Sequence, residues 1–149
     1  MQLSEHFTLD ELISSSHHEI DNWPSPEVIE RLRVLARDFL EPVRARFGAL
    51  RVTSGYRCPE LNRVVGGVAD SAHVYGCAAD LQPLTPGITI ADIVRWVTLE
   101  SGLPYDQVID EGSDRAAWCH LGIVRPGPEV TPRRTALVMR SGKYSPFVG

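Results

Sequence analysis

The chain is poor in cysteine and has no excess of positive charge, and both shortages narrow its class. Cys58, Cys77 and Cys119 are the only cysteines among 149 residues, and no two stand in Cys-x-x-Cys spacing. An odd count without paired spacing fits a reducing compartment better than a disulfide framework, with each thiol read as a small buried apolar side chain. Lys and Arg total 15 against 19 Asp and Glu, a formal charge of -4, so nucleic acid is not the expected partner. The one dense basic cluster, Arg133-Arg134, reads as a solvated turn. No apolar run is long enough to span a bilayer, and no membrane partner is expected. The start "MQLSEHFTLDEL" has neither the basic nor the apolar region of a secretory signal, so synthesis in the cytoplasm is the expectation. Repeats and low-complexity tracts are missing too, which argues against a solenoid or a disordered tail.

What remains is the composition of a soluble domain long enough to bury a core. One domain over 1–149 is expected, with leader helices in 1–48, a core in 49–124 and a C-terminal extension in 125–149. Thr8 and Glu11 have capping-box spacing and predict a short helix from Leu9 to about Ser14. Ser25 followed by Pro26 starts a second, with Val28, Leu32, Leu35, Phe39 and Val43 at helical spacing. That helix should end near Gly48, with Pro42 bending it or beginning a separate final turn. "ALRVTSGYR" predicts a strand that breaks at Gly55, followed by a short helix over "PELNRVV" that stops at Gly66-Gly67. In "CAADLQ", Cys77, Ala79 and Leu81 alternate with Ala78, Asp80 and Gln82, as a strand requires. "TIADIVRWVTLESG" predicts an amphipathic helix capped by Thr89 and ended by Gly102. "QVIDE", "WCHLGIV" and "TALVMR" predict further strands. The sum is an α+β domain on a small, mainly antiparallel sheet.

Alternation also points to a site. Along "AWCHLGIV", Trp118, His120 and Gly122 share one face, and Cys119, Leu121 and Ile123 the other. If Asp80 lies on a neighbouring strand, its carboxylate falls beside His120, and His73 can close the triangle from the turn before Gly76. Two imidazoles and a carboxylate are the three protein ligands of a catalytic zinc, with the fourth position open. Taken singly, such residues are ordinary structural histidines and strand-end caps. His17 and His18, adjacent in a polar loop, read as solvated. Cys119 points away from its neighbour His120 and cannot join it on one metal. Trp118, on the face of His120, could wall a substrate cleft or pack in a core.

Three stretches in order, "SGYRCPELN" (54–62), "SAHVYGCAAD" (71–80) and "WCHLGI" (118–123), resemble the SGYRxxxLN, SxHxxGxAxD and WxH signatures of the zinc D-Ala-D-Ala carboxypeptidases. That family also includes phage L-alanyl-D-glutamate endopeptidases and shares the hedgehog/DD-peptidase fold. The front of the chain resembles the leader helices of its phage and prophage members, so the likeness runs from Leu3 to about Val124. It implies one zinc on His73, Asp80 and His120, with Arg57 gripping a substrate carboxylate and Ser71 bonding the substrate backbone. An ion pair of Arg57 with Glu60 or Asp70 is the alternative. It further implies a peptidase acting on peptidoglycan stem peptides, reaching the wall through lysis or a phage particle, as a monomer.

The sequence departs from the best-known family pattern at the general base. Many members carry an acid three residues before the last zinc histidine, where this chain has Ala117. The phage-like branch has a DQxIxE segment instead, and "DQVIDE" supplies Glu111 at a strand end, the choice over Asp110 and Asp114. A catalytically silent zinc domain, used for binding or as a phage component, is the rival reading.

Overall fold

The computed structural model describes residues 1–127 and 131–149. Helix α1 (Leu9–Ile13) carries the full capping box: the Thr8 side chain accepts from the Glu11 backbone, and the Glu11 carboxylate accepts from Thr8. Helix α2 (Pro26–Leu35) starts as expected, with Ser25 as its cap and proline in the first turn. The helix expected up to about Gly48 is divided into α2, an unforeseen π turn over Ala36–Leu40, and α3 (Glu41–Phe47), which holds Pro42 in its first turn as the separate final segment. The reason is Pro42, which has no N–H to give an α-helical carbonyl four residues back. The chain absorbs that loss by widening the preceding turn, so that the Glu41 N–H reaches back five residues to the Ala36 carbonyl. The helical path continues while Phe39, Leu40 and Val43 all stay buried.

Strand β1 (Leu50–Ser54) leads to α4 (Pro59–Val64), a 3-10 turn (Ala72–Tyr75) and β2 (Ala78–Pro83). Helix α5 (Ile90–Leu99), with a capping box of Thr89 and Asp92, precedes β3 (Gln107–Gly112) and β4 (Ala117–Gly122). Strands β5 (Thr135–Arg140) and β6 (Lys143–Pro146) complete one six-stranded sheet in the order β1-β2-β4-β3-β5-β6. Only the β3–β5 pairing is parallel. The α+β, mainly antiparallel expectation therefore holds. Strand β6 was not foreseen. It is short and exposed along its length, but its turn is legible: Ser141 and Gly142 both have positive φ, as a tight two-residue hairpin turn demands.

The two faces of the sheet differ. Cys77, Ala79, Leu81, Val108, Cys119 and Leu121 are fully buried with Leu12, Leu32, Leu35 and Val43 of the leader helices and Ile93, Val94 and Val97 of α5. Phe47 and Trp96 meet edge to face there, their ring centroids 5.8 Å apart. The alternate residues of β2, β3 and β4 point the other way, and among them are Asp80, Glu111, Trp118 and His120, which line an open cleft. Among the described residues, no helix is long and apolar enough to cross a membrane.

Arg133, expected in a solvated turn, instead grips Asp106 through its backbone and guanidinium nitrogens at 2.8 to 3.2 Å. Asp106 is 5 % exposed, and a buried carboxylate requires such a partner. This anchors the start of β5 to the start of β3.

Leu121 tests the packed face. Replacing it with alanine leaves a cavity between sheet and helices, with an expected loss of about 2–5 kcal/mol in urea unfolding. A loss under ~1 kcal/mol would mean that the helices do not hold this face.

Candidate metal centre

Antiparallel register brings the ligands together. Asp80 on β2 lies directly opposite His120 on β4, and residues opposed in this way share a face. His73 comes from the 3-10 turn before β2. That turn is capped at its start by the Ser71 hydroxyl and closed at Gly76 in the left-handed conformation. One Asp80 oxygen sits 3.3 Å from His73 Nε2 and 3.1 Å from His120 Nδ1. One ligand atom from each residue lies within 4.8 Å of the others.

The donor set fits a metal. His73 is 2 % exposed, and its Nδ1 donates to the Gly55 carbonyl at 2.7 Å. That bond fixes the tautomer and leaves Nε2 free to ligate, the support a metal histidine usually receives. Gly55 itself has no room for a side chain, because a Cβ there would collide with the Leu12 carbonyl. Burial holds the His73 imidazolium down, against the pull of Asp80. Burial acts to raise the Asp80 carboxyl, yet the facing His73, with hydrogen bonds from both imidazoles, keeps it well below the usual carboxylate range. Neutral imidazole and ionised carboxylate are the forms that bind zinc.

Around this cluster the cleft encloses about 580 Å³ and is also lined by Arg57, Ser71, Glu111 and Trp118. A neighbouring hollow of about 320 Å³, lined by Tyr75, Asp106 and Arg133 among others, lacks the ligand cluster.

The peptidase M15 family model matches residues 5–108, more than half of the chain. The chain belongs to the peptidase M15 family. This is the family of zinc D-Ala-D-Ala carboxypeptidases, and His73, Asp80 and His120 are placed to hold a metal ion. The match ends within β3, and His120 is supplied from beyond it. No curated protein matches the chain.

In this M15 chain Arg57 follows β1, and its guanidinium makes one long hydrogen bond, 3.4 Å from Nη2 to the Ser71 hydroxyl. Its Nε is buried and has no partner among the described residues. Among the described residues Arg57 pairs with neither Glu60 nor Asp70, and Asp70 bonds Arg125 instead. Burial lowers the Arg57 guanidinium, while the carboxylates of Asp80 and Glu111 favour its charge. Ser71 accepts from the His73 N–H and from Arg57, which leaves its own proton free to donate.

Glu111 shares the cleft with the ligands, whereas Asp110 points to the other face and bonds Arg140 at 3.1 Å. Asp114 is exposed in the turn between β3 and β4. Burial, aided by the Asp80 carboxylate, raises the Glu111 carboxyl. Trp118 lines the cleft opposite Glu111. His17 and His18 lie outside the ligand cluster.

Sequence reasoning missed Asn22. Its side chain donates to the Ile13 and Tyr56 carbonyls, both at 2.9 Å, and accepts from the Cys58 N–H at 2.7 Å. It therefore clamps both sides of Arg57 to the end of α1. No motif marks it, because the three partners are brought together only by the fold.

Changing His73, Asp80 or His120 to alanine should in each case abolish tight zinc binding by elemental analysis after dialysis, since two ligands hold zinc poorly. Full occupancy in His120→Ala would remove it from the site. The metal-free protein should also lose stability as pH falls below about 6.5, because the unfolded chain then protonates a histidine that the fold keeps neutral. His73→Asn should flatten that slope in urea melts taken across the range.

Proposed function

We propose that the chain is a zinc peptidase that cleaves the stem peptides of peptidoglycan. One observation carries this reading: the half-buried carboxylate of Glu111 and the guanidinium of Arg57, whose buried Nε has no partner among the described residues, line the same cleft as the three ligands. A purely structural metal site needs neither.

His73, Asp80 and His120 would hold the metal. Zinc bound there supplies a Lewis acid that polarises the scissile carbonyl and acidifies water. Glu111 takes the proton of the attacking water and hands it to the departing amine. The burial that raises its carboxyl suits the first half of this exchange, since the carboxylate of a weaker acid takes the water's proton more readily. Asp80, in the same cleft, is held ionised by its two imidazoles, so the two carboxylates are driven to different roles. Arg57 takes a substrate carboxylate through parallel hydrogen bonds, with the Ser71 hydroxyl beside it for the peptide backbone. Both a free C-terminus and an internal D-glutamate or diaminopimelate carboxylate suit that grip. The cell wall is the proposed place of action, reached by lysis or on a phage particle, and the active form is proposed to be a monomer.

The rival, a silent zinc domain, rests on Ala117. Glu111 in the cleft weighs against it, because β3 offers a carboxylate where β4 does not.

Zinc-loaded protein incubated with purified muropeptides should release fragments whose masses identify the cut bond. Glu111→Gln should keep zinc and fold while turnover falls on the order of a hundredfold or more. Asp110→Asn and Asp114→Asn should lose far less. A dead Asp114→Asn beside an active Glu111→Gln would move the base to the β3–β4 turn, and an inert wild type would establish the silent domain. Arg57→Ala should retain zinc and lose activity chiefly on substrates bearing the gripped carboxylate, with less effect on an amidated analogue. Equal losses on both would exclude Arg57 from recognition.

A further inference from the structure

The C-terminal hairpin of β5 and β6 lies wholly outside the segment that matches the family, yet it contributes two residues to the cleft, Met139 and Tyr144. Strand register explains how. Trp118 faces Glu111 across β4 and β3, Glu111 faces Met139 across β3 and β5, and Met139 faces Tyr144 across β5 and β6. These four residues form one row on the face that carries the ligands. Tyr144 is 61 % exposed, and among the described residues its hydroxyl has no hydrogen-bond partner.

The order of the sheet then gives the cleft a direction. Arg57 follows β1 at one edge, the ligand strands β2 and β4 come next, Glu111 is on β3, and Tyr144 is on β6 at the far edge. A peptide lying across the strands with its carboxylate on Arg57 runs past the ligands toward Tyr144. Strands are about 4.8 Å apart, so two steps place the Tyr144 backbone roughly 10 Å from that of Glu111. An extended peptide advances about 3.3 Å per residue, and a tyrosine side chain leaning inward covers part of that gap.

On the proposed peptidase reading, we infer that Tyr144 is a substrate-specificity residue that reads the peptide about two units from the cut bond, on the side away from Arg57. Its hydroxyl donates to a backbone carbonyl there, and its ring covers the chain beside Met139. Burial and the Glu111 carboxylate both raise the phenol, so it remains a donor throughout the range in which a carboxylate base works.

The inference turns on length dependence. Zinc-loaded wild type, Tyr144→Phe and Tyr144→Ala are compared on muropeptides trimmed unit by unit on the side away from Arg57. In the wild type, kcat/KM should rise about tenfold when the chain becomes long enough to reach Tyr144, the scale of one good hydrogen bond. Tyr144→Ala should lose that rise, mainly through KM, and match wild type on the shortest peptide cleaved. Tyr144→Phe should keep part of it through the ring. Lys143→Ala, on the opposite face of the same strand, should behave as wild type.

Binding gives a readout independent of turnover. The longest peptide, titrated calorimetrically into Glu111→Gln, should bind about tenfold more tightly than into Glu111→Gln with Tyr144→Ala. Unchanged length dependence and unchanged Kd in Tyr144→Ala, with an active wild type, would overturn the role of Tyr144 alone. Equal losses at every length would also overturn it, since they indicate damage to the hairpin rather than lost recognition. If wild type cleaves no peptide and Glu111→Gln binds none, the peptidase reading falls and takes this inference with it.

Discussion

A slip of one residue between β2 and β4 would turn Asp80 into the helix-covered core and Leu81 into the cleft. Because side chains alternate strictly along a strand, the register that pairs Asp80 with His120 also sends Ala79, Leu81, Cys119 and Leu121 to the dry face. The site and the core are thus two consequences of one alignment. Burial of the apolar set penalises any slip, and so the packing energy of the helices holds the ligand geometry as well. The same register extends through β3 to β5 and β6, which is how Glu111, Met139 and Tyr144 come to stand in one row.

The charges on the working face are arranged with little mutual cancellation. Asp80 is shared by two imidazoles, Glu111 is raised by burial beside that same carboxylate, and Arg57 keeps a buried nitrogen without a partner among the described residues. A fold selected for stability alone would pair Arg57 with an acid, as it pairs Arg133 with Asp106 and Arg140 with Asp110. The contrast within one small domain separates groups that hold the structure from groups left free to meet a ligand.

Much of this was legible from local chemistry. The capping residues Thr8, Ser25 and Thr89, and the alternation in "CAADLQ" and "WCHLGIV", depend on neighbours in sequence, and they located helices, strands and the ligand face. The departures all involve long-range contacts or unusual backbone. The π turn is a compromise between Pro42 and a core that needs the helix to continue. Arg133 looked solvated because Asp106 is 27 residues away. Strand β6 lacks apolar alternation, being an edge strand with no second layer to pack against, and only the Ser141-Gly142 turn announced it. Asn22 could not be singled out, since a lone asparagine in a loop carries no period or motif.

Asn22 and the Leu12 carbonyl give the front of the chain an unexpected standing. Leu12 accepts from the Tyr56 N–H and crowds Gly55, whose own carbonyl orients His73, while Asn22 braces the segment on both sides of Arg57. The leader is therefore no detachable preface. A chimera that exchanged residues 1–48 with those of a relative would import a new seat for the arginine and a new buttress for the histidine at once. Recombination between such proteins is constrained to treat the leader and the "SGYR" loop as a single heritable block, although α2 and α3 separate Leu12 and Asn22 from that loop in sequence.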